Sequence, residues 1–203
     1  MQKANPDLNP ETIETYELIL EQYFWQRHLR GTLVGFYYTI DDLINLEMGS
    51  PDGLLVFRNL GHTTSKGVEV ELEGRWPSGL LSRVSYTYQQ SRDEQTGQTL
   101  TDSPRHLAKF HLIVPLVREK LFGSVEVLYA SSRKTRSGAS ADASVVTNLT
   151  LFSVHLPVKG LELSASVYNV FDTRYSTPVS DAHQQEAIEQ DGRTFRVKLT
   201  YPF

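Results

Sequence analysis

Six histidines are the side chains in this sequence best suited to metal binding or proton transfer. They are His28, His62, His106, His111, His155 and His183. No pair forms an HExxH element, the spacing that puts two zinc ligands on one face of a helix. The chain has no cysteine, which excludes zinc–thiolate sites, disulfides and thiol catalysis. The sequence therefore predicts neither a metal site nor a cofactor.

A serine and a histidine on neighbouring strands are the best candidates for hydrolytic chemistry. Ser85 and His106 could approach each other if the two strands lie side by side. The sequence contains no G-x-S-x-G elbow and no glycine-rich phosphate loop. An isolated serine and histidine on a hydrated wall are ordinary surface residues, so we do not expect an enzyme.

Composition limits the kinds of partner. The net charge of −4 argues against nucleic acid, which requires a basic surface. No run approaches the roughly 20 apolar residues of a membrane helix. The mean hydropathy of −0.33 is still compatible with membrane β-strands, because these alternate apolar and polar residues. The first residues lack the apolar region of a signal peptide, which indicates a mature chain or a fragment.

Alternation with period two dominates the chain and predicts an all-β fold. Val68, Val70 and Leu72 alternate with three glutamates, and the C-terminal residues alternate in the same way up to Phe203. Such segments are two-faced strands. We predict nine strands: Thr12–Trp25, Thr32–Ile44, Leu54–Glu73, Leu80–Asp93, Arg105–Val117, Leu121–Ser132, Ala143–Leu156, Leu161–Phe171 and Arg193–Phe203. The third is expected to extend above the membrane or to break near Gly61.

The connections between these strands alternate in length. Four short turns are predicted around Gln26–Gly31, Gly74–Gly79, Arg118–Lys120 and Pro157–Gly160. Four longer polar loops are predicted at Asn45–Gly53, Glu94–Pro104, Arg133–Asp142 and Asp172–Gly192. Short turns on one rim and long loops on the other are typical of an outer-membrane barrel, whose long loops lie outside the cell.

Five segments, in order, resemble the TonB-dependent outer-membrane receptors. They are NPDLNPETIETYELILEQ from Asn5, GFYYTIDDLINL from Gly35, FRNLGHTTSKGVEVELEGRW from Phe57, SPRHLAKFHL from Ser103, and YNVFDTRY from Tyr168 followed by DGRTFRVKLTYPF. The resemblance covers nearly the whole chain. It implies antiparallel strands of a transmembrane β-barrel of 22 strands, of which residues 1–203 form the C-terminal portion, without the plug domain.

The resemblance also implies a function for the intact receptor. That function is active uptake across the outer membrane of a Gram-negative bacterium, for a ferric siderophore or a similar iron chelate. The expected partners are the lipid bilayer, the TonB complex acting through the missing N-terminal region, the barrel assembly machinery and the iron chelate. A complete small barrel with a structural or passive role, and a soluble β-sandwich binding module, remain alternatives.

Four residues are candidates for specific roles. His62 and His183 lie in expected extracellular regions and could contact the ligand, and Glu69 faces the expected barrel lumen. Solvent exposure explains the histidines more simply, and a hydrated wall explains Glu69. The terminal Phe203 resembles the aromatic residue by which the assembly machinery recognises outer-membrane proteins. Asn59 and Asn169, beside polar loops, are interpreted as loop caps.

Overall fold

In the described part of the chain, nine long strands form one continuous antiparallel sheet, and their order across the sheet is their order in the sequence. The structure is a computed structural model that describes residues 2–48, 53–59, 61–154, 160–180 and 183–201. The strands are β1 Thr12–Phe24, β2 Leu29–Asp41, β3 His62–Arg75, β4 Leu81–Asp93, β5 His106–Val117, β6 Leu121–Ala130, β7 Ser144–Ser153, β8 Glu162–Tyr168 and β9 Thr194–Thr200. Within these ranges, no helix is long and apolar enough to cross a membrane.

The nine predicted strands are confirmed, with ends that differ from the predicted ones by one or a few residues, and three of the differences have a clear local cause. β2 begins at Leu29 rather than Thr32, because the His28 N–H donates to the Trp25 carbonyl at 2.9 Å and closes a tight turn. The predicted third strand does break at Gly61, whose φ is +91°. β8 ends at Tyr168, before the predicted Phe171, because Asn169 takes a φ of +50° that strands do not accommodate.

Seven shorter strands of the described residues lie outside the main sheet. Leu55–Asn59 pairs with Ile44–Met48 and, in parallel, with Gln2–Lys3, which makes a three-stranded sheet. Arg133–Lys134 pairs with Ser140–Ala141, and Ser176–Pro178 pairs with Ala187–Glu189. Leu55–Asn59 is the part of the predicted strand Leu54–Glu73 that precedes the break, and the other six were not predicted. Together they give structure to the segment before β1 and to three of the long connections.

The connections separate by length onto the two rims of the sheet. At one rim the strands are connected by the shorter segments, which are residues 25–28, 76–80, 118–120 and 154–161. At the other rim they are connected by the longer segments, which are residues 42–61, 94–105, 131–143 and 169–193. Local chemistry explains the short turns: the Gly79 N–H donates to the Trp76 carbonyl at 2.9 Å, and Gly79 has a φ of +89°. We call the two ends the short-turn rim and the long-loop rim. The predicted turn at Pro157–Gly160 lies mostly outside the described residues.

The register gives the sheet two chemically different faces. Directly paired residues share a face. Glu71 pairs with Thr32 and Ser85, whereas Val70 pairs with Leu33 and Tyr86. Glu71, Thr32 and Ser85 lie on what we call the charged face. Val70, Leu33 and Tyr86 lie on what we call the apolar face.

The apolar face is not covered by any second layer of the described chain. Glycine and proline aside, Val56 and Ala141 are the only buried hydrophobic residues in the described ranges, and neither belongs to the main sheet. Val70, in a central strand, is 47% exposed, and Val197 at the edge is 75% exposed. An apolar surface of this extent marks contact with a membrane or a partner. A soluble sandwich would bury it against a second sheet.

Candidate functional site on the charged face

A row of alternating charges crosses three strands of the charged face near the short-turn rim. Arg30 of β2 pairs with Glu73 of β3, and Glu73 pairs with Arg83 of β4. Arg83 Nε donates to Glu73 Oε2 at 3.0 Å, and Arg75 Nε donates to Glu73 Oε1 at 2.5 Å. Arg30 Nη2 lies 3.0 Å from Glu71 Oε1 and 3.5 Å from Glu73 Oε2.

Glu73 is the centre of this ionic cluster and is only 6% exposed. A carboxylate so far removed from water requires charged partners, and here three arginines supply them. The sequence analysis placed these glutamates on one face but missed the arginines. The Glu73–Arg83 pair could have been predicted from the sequence, because the tight turn at 76–80 fixes the register that sets Glu73 opposite Arg83.

Glu69 lies on the same charged face as Glu71, two residues nearer the long-loop rim. It is half-buried, pairs with Val34 and Thr87, and accepts a hydrogen bond from Thr87 Oγ1 at 3.4 Å. It takes no part in the ion pairs of the cluster. Its carboxylate is therefore the least engaged of the three glutamates of β3 and can accept a donor from the space beside the face.

His62 does not lie on the charged face. It pairs with Asp41 at the long-loop rim, and both side chains belong to the apolar side of the sheet. His62 Nδ1 lies 2.6 Å from Asp41 Oδ1. The structure therefore separates His62 from Glu69, with which the sequence analysis had grouped it as a candidate ligand contact.

His183 belongs to a loop that is fastened to its neighbour. Its backbone carbonyl accepts from Arg136 Nη1 at 3.3 Å, and its side chain is exposed. Arg136 Nη2 also donates to Glu186 Oε1 at 3.2 Å, and the Ser137 N–H donates to Glu186 Oε2 at 2.9 Å. This N–H and the Arg136 guanidinium hold the pKa of Glu186 below its usual range. Loops 131–143 and 169–193 are thus joined at the long-loop rim.

In the described chain, the side chains considered for hydrolysis and for metal binding do not come together. Ser85 pairs with Lys109 on the charged face, whereas His106 lies on the apolar face, where its Nδ1 is 2.8 Å from Tyr86 Oη. The two residues considered as nucleophile and base therefore point to opposite sides. Among the described residues, no three histidine, aspartate or glutamate side chains are grouped to hold a metal ion.

Asn59 ties the segment before β1 to the long-loop rim. Its Oδ1 accepts the Asn9 N–H at 2.8 Å, and its Nδ2 donates to the carbonyls of Asn9 at 2.9 Å and Asp42 at 2.7 Å. Glu11 adds a bond from the Ile44 N–H at 2.7 Å. The side chain fastens three separate stretches of backbone.

Asn169 makes a second lock at the base of the loop 169–193. It is 3% exposed, and its side chain bonds the N–H and carbonyl of Thr173 at 2.8 and 2.9 Å and the Asp191 carbonyl at 3.2 Å. Asp172 Oδ1 accepts the Arg193 N–H at 2.8 Å, and Arg193 Nε donates to the Val170 carbonyl at 2.8 Å. These bonds join the two ends of the loop.

Comparison with known proteins identifies the fold to which these features belong. The sequence model of the family described as "TonB dependent receptor-like, beta-barrel" matches residues 1–170. The chain belongs to this TonB-dependent receptor β-barrel family. A search of curated proteins finds no match to the sequence.

Solved structures agree with this family assignment at the level of the fold. The ferric-catecholate import receptor Fiu from Escherichia coli K12 is 19% identical, with a TM-score of 0.71 over 95% of this chain and 28% of that one. The ferripyoverdine receptor of the Pseudomonas aeruginosa outer membrane is 18% identical, with a TM-score of 0.69 over 93% and 27%. The copper transporter OprC is 16% identical, with a TM-score of 0.74 over 95% and 31%.

This TonB-dependent receptor chain therefore spans about a third or less of the length of the structures it matches. The proteins it resembles are transport receptors rather than enzymes. The receptor-like motifs at Asn59 and Asn169 take structural roles here, which agrees with their interpretation as loop caps.

Proposed function

We propose that this chain forms nine neighbouring strands in the barrel wall of an outer-membrane receptor for active uptake of a ferric siderophore or a similar iron chelate. The observation that carries the proposal is the two-faced sheet. Its apolar face is exposed at 47% even at Val70 in a central strand, while its other face carries the Arg30–Glu73–Arg83 row. Lipid outside and water inside account for both faces.

The proposal fixes an orientation and a set of partners. The short-turn rim faces the periplasm, and the long-loop rim faces the outside of a Gram-negative cell. The apolar face contacts the bilayer. β1 and β9 each pair on one side only in the described sheet, so further strands would close the barrel around a plug domain that contacts TonB. Phe203, which lies outside the described residues, is the proposed recognition signal for barrel assembly.

The ligand class rests on similarity and on the charge of the wall. Fiu and the ferripyoverdine receptor are named for iron chelates, and the fold is common to all three structures compared. Glu69 faces the proposed lumen and is the wall residue we assign to contact either the ligand or the plug. His183, on an exposed loop, is assigned an early contact with the ligand, and His62 is the least suited because it lies on the other side of the sheet.

The test measures uptake by the full-length protein. A strain lacking the gene is complemented with it and supplied with radioactive iron as a panel of ferric siderophores, with and without TonB. We expect uptake of at least one chelate that requires both the gene and TonB. Uptake of none of the iron chelates would overturn the ligand class, and uptake that persists without TonB would overturn active transport.

A further inference from the structure

A small polar cavity lies at the long-loop rim, between the loops 94–105 and 131–143. Its volume is about 270 Å³, several times the roughly 30 Å³ that one water molecule occupies in the liquid. Three cationic side chains, Arg105, Arg133 and Lys134, line it together with five serine and threonine residues and His106. None of the described residues that line it is acidic.

The walls of the cavity are fixed by contacts between the two loops. Arg133 Nη1 donates to Asp102 Oδ1 at 3.0 Å, and the Asp102 N–H donates to the Lys134 carbonyl at 3.0 Å. The His106 N–H donates to Ser131 Oγ at 3.1 Å, which joins the top of β5 to the same loop. The Arg133 side chain and the backbone of Lys134 are therefore held against the loop 94–105, and the three cations line one cavity.

The cavity has more positive charge than the protein neutralises. Asp102 engages one end of Arg133, whose side chain is only 13% exposed, but Arg133 Nε is buried and has no hydrogen-bond partner. Arg105 and Lys134 are exposed, and neither forms an ion pair with a described residue. Like charges at close range repel one another, and an anion that accepts several hydrogen bonds would relieve this repulsion.

We propose that this cavity binds a phosphate group. A phosphate offers several strong acceptor oxygens to guanidinium and ammonium groups, and the surrounding hydroxyls can donate further hydrogen bonds. The cavity adjoins His106, whose ring contacts Tyr86 at the long-loop end of the apolar face. A phosphorylated lipid headgroup of the outer leaflet would lie at this level, and we assign it as the source of the phosphate.

The assignment of a lipid headgroup as the source of the phosphate rests on the proposed orientation in the membrane. The phosphate site itself does not rest on that orientation. The experiment therefore uses the full-length protein in detergent, without any iron chelate. Native mass spectrometry measures binding of lipid A with its phosphates and of the same lipid after enzymatic dephosphorylation. Calorimetry measures binding of inorganic phosphate. Neither result depends on whether the protein transports iron.

The decisive variant is Arg105→Gln with Lys134→Gln, compared with Arg118→Gln and Lys120→Gln in a short turn. Both pairs remove one arginine and one lysine from exposed positions. We expect the first pair to weaken binding of phosphorylated lipid A by about tenfold or more, and the second pair to leave it unchanged. Dephosphorylated lipid should bind the unchanged protein about tenfold more weakly. Lys134→Gln alone serves if the double variant does not fold.

Two results would overturn the phosphate site, and a third would overturn only the lipid as its source. Equal binding of both lipids, unaffected by either variant pair, would overturn the site. Equal weakening by both pairs would show a general effect of charge and would also overturn it. Binding of inorganic phosphate that Arg105→Gln and Lys134→Gln abolish, without any preference for phosphorylated lipid, would support the phosphate site and overturn the lipid as its source.

Discussion

Phe24, at the short-turn end of β1, and Phe195, at the long-loop start of β9, lie in one continuous row of cross-strand pairs. The row runs through all nine strands by way of Leu29, Gly74, Ser82, Leu112, Val125, Leu149 and Val167. A single row of pairs therefore connects opposite rims of the sheet. This stagger is what a tilted barrel wall requires.

The stagger predicts the tilt of the strands. The first aromatic residue of the apolar face marks the same height in each edge strand, counted from the long-loop rim. It is Tyr16 in β1 and Phe195 in β9. Phe195, however, lies in the row of Phe24, which is eight positions beyond Tyr16 in β1. The stagger is therefore eight residues over eight strand-to-strand steps, or one residue per strand. A rise of about 3.3 Å against a spacing of about 4.8 Å gives a tilt of roughly 35°. Polarised infrared spectroscopy of oriented membranes should find this tilt, and strands nearly parallel to the membrane normal would contradict it.

Charge placed on the apolar face should destabilise the barrel, while charge on the other face should not. Val70→Arg puts a cation in the middle of the apolar residues of β3 and should cost about 2–4 kcal/mol of unfolding free energy. Ser85→Arg is the matched control, because Ser85 pairs directly with Glu71 on the charged face. Urea unfolding of the full-length protein in lipid vesicles measures both. Equal losses would mean that the two faces have been assigned wrongly.

The Asn59 lock should control how firmly the segment before β1 is held. Asn59→Ala removes three hydrogen bonds to Asn9 and Asp42 and leaves their backbone groups without those partners. We expect a loss of about 1–3 kcal/mol in the local opening free energy. Hydrogen exchange of the Asn9 amide measures it. Asn45→Ala, in the adjacent strand Ile44–Met48, should leave this exchange rate unchanged, and no difference between the variants would contradict the lock.

Acid should release the contact between the loops 131–143 and 169–193. Because the folded state lowers the pKa of Glu186, its contribution to stability is present above the ordinary carboxylate pKa and is lost as the pH falls through the lowered value. Spin labels on Ala139 and Gln184 should therefore show a broader distance distribution at acidic than at neutral pH. In Glu186→Gln the broad distribution should already be present at neutral pH. A distribution that does not depend on pH in either protein would contradict this role.

The sheet could be predicted from the sequence because its determinants are local. Alternation such as Val68 to Glu73 defines a strand and its two faces without any knowledge of the partner strand. Turn residues such as Gly79 then set the register. The break at Gly61 was also visible, since a glycine between two polar segments is a common site for a change of direction.

Long-range partners could not be predicted in the same way. Asn59 bonds to Asn9, fifty residues earlier in the chain, and no periodicity connects the two. The phosphate-binding cavity likewise needs Arg105 and Lys134 from separate loops, which only the folded structure brings together. His62 was proposed because it lies in an expected extracellular region, and the register then placed it on the side of the sheet away from Glu69.

Cysteine labelling of the full-length receptor in intact cells tests the central claim most directly. The chain itself has no cysteine, so single replacements give a clean signal. Cysteines at Gln95, Ala139 and Gln184, in three long loops, should react with a membrane-impermeant maleimide. Cysteines at Ser78 and Lys120, in two short turns, should react only after the outer membrane is opened. Labelling of the short turns but not the long loops in intact cells would reverse the orientation, and equal labelling at all five positions would contradict a membrane-spanning wall.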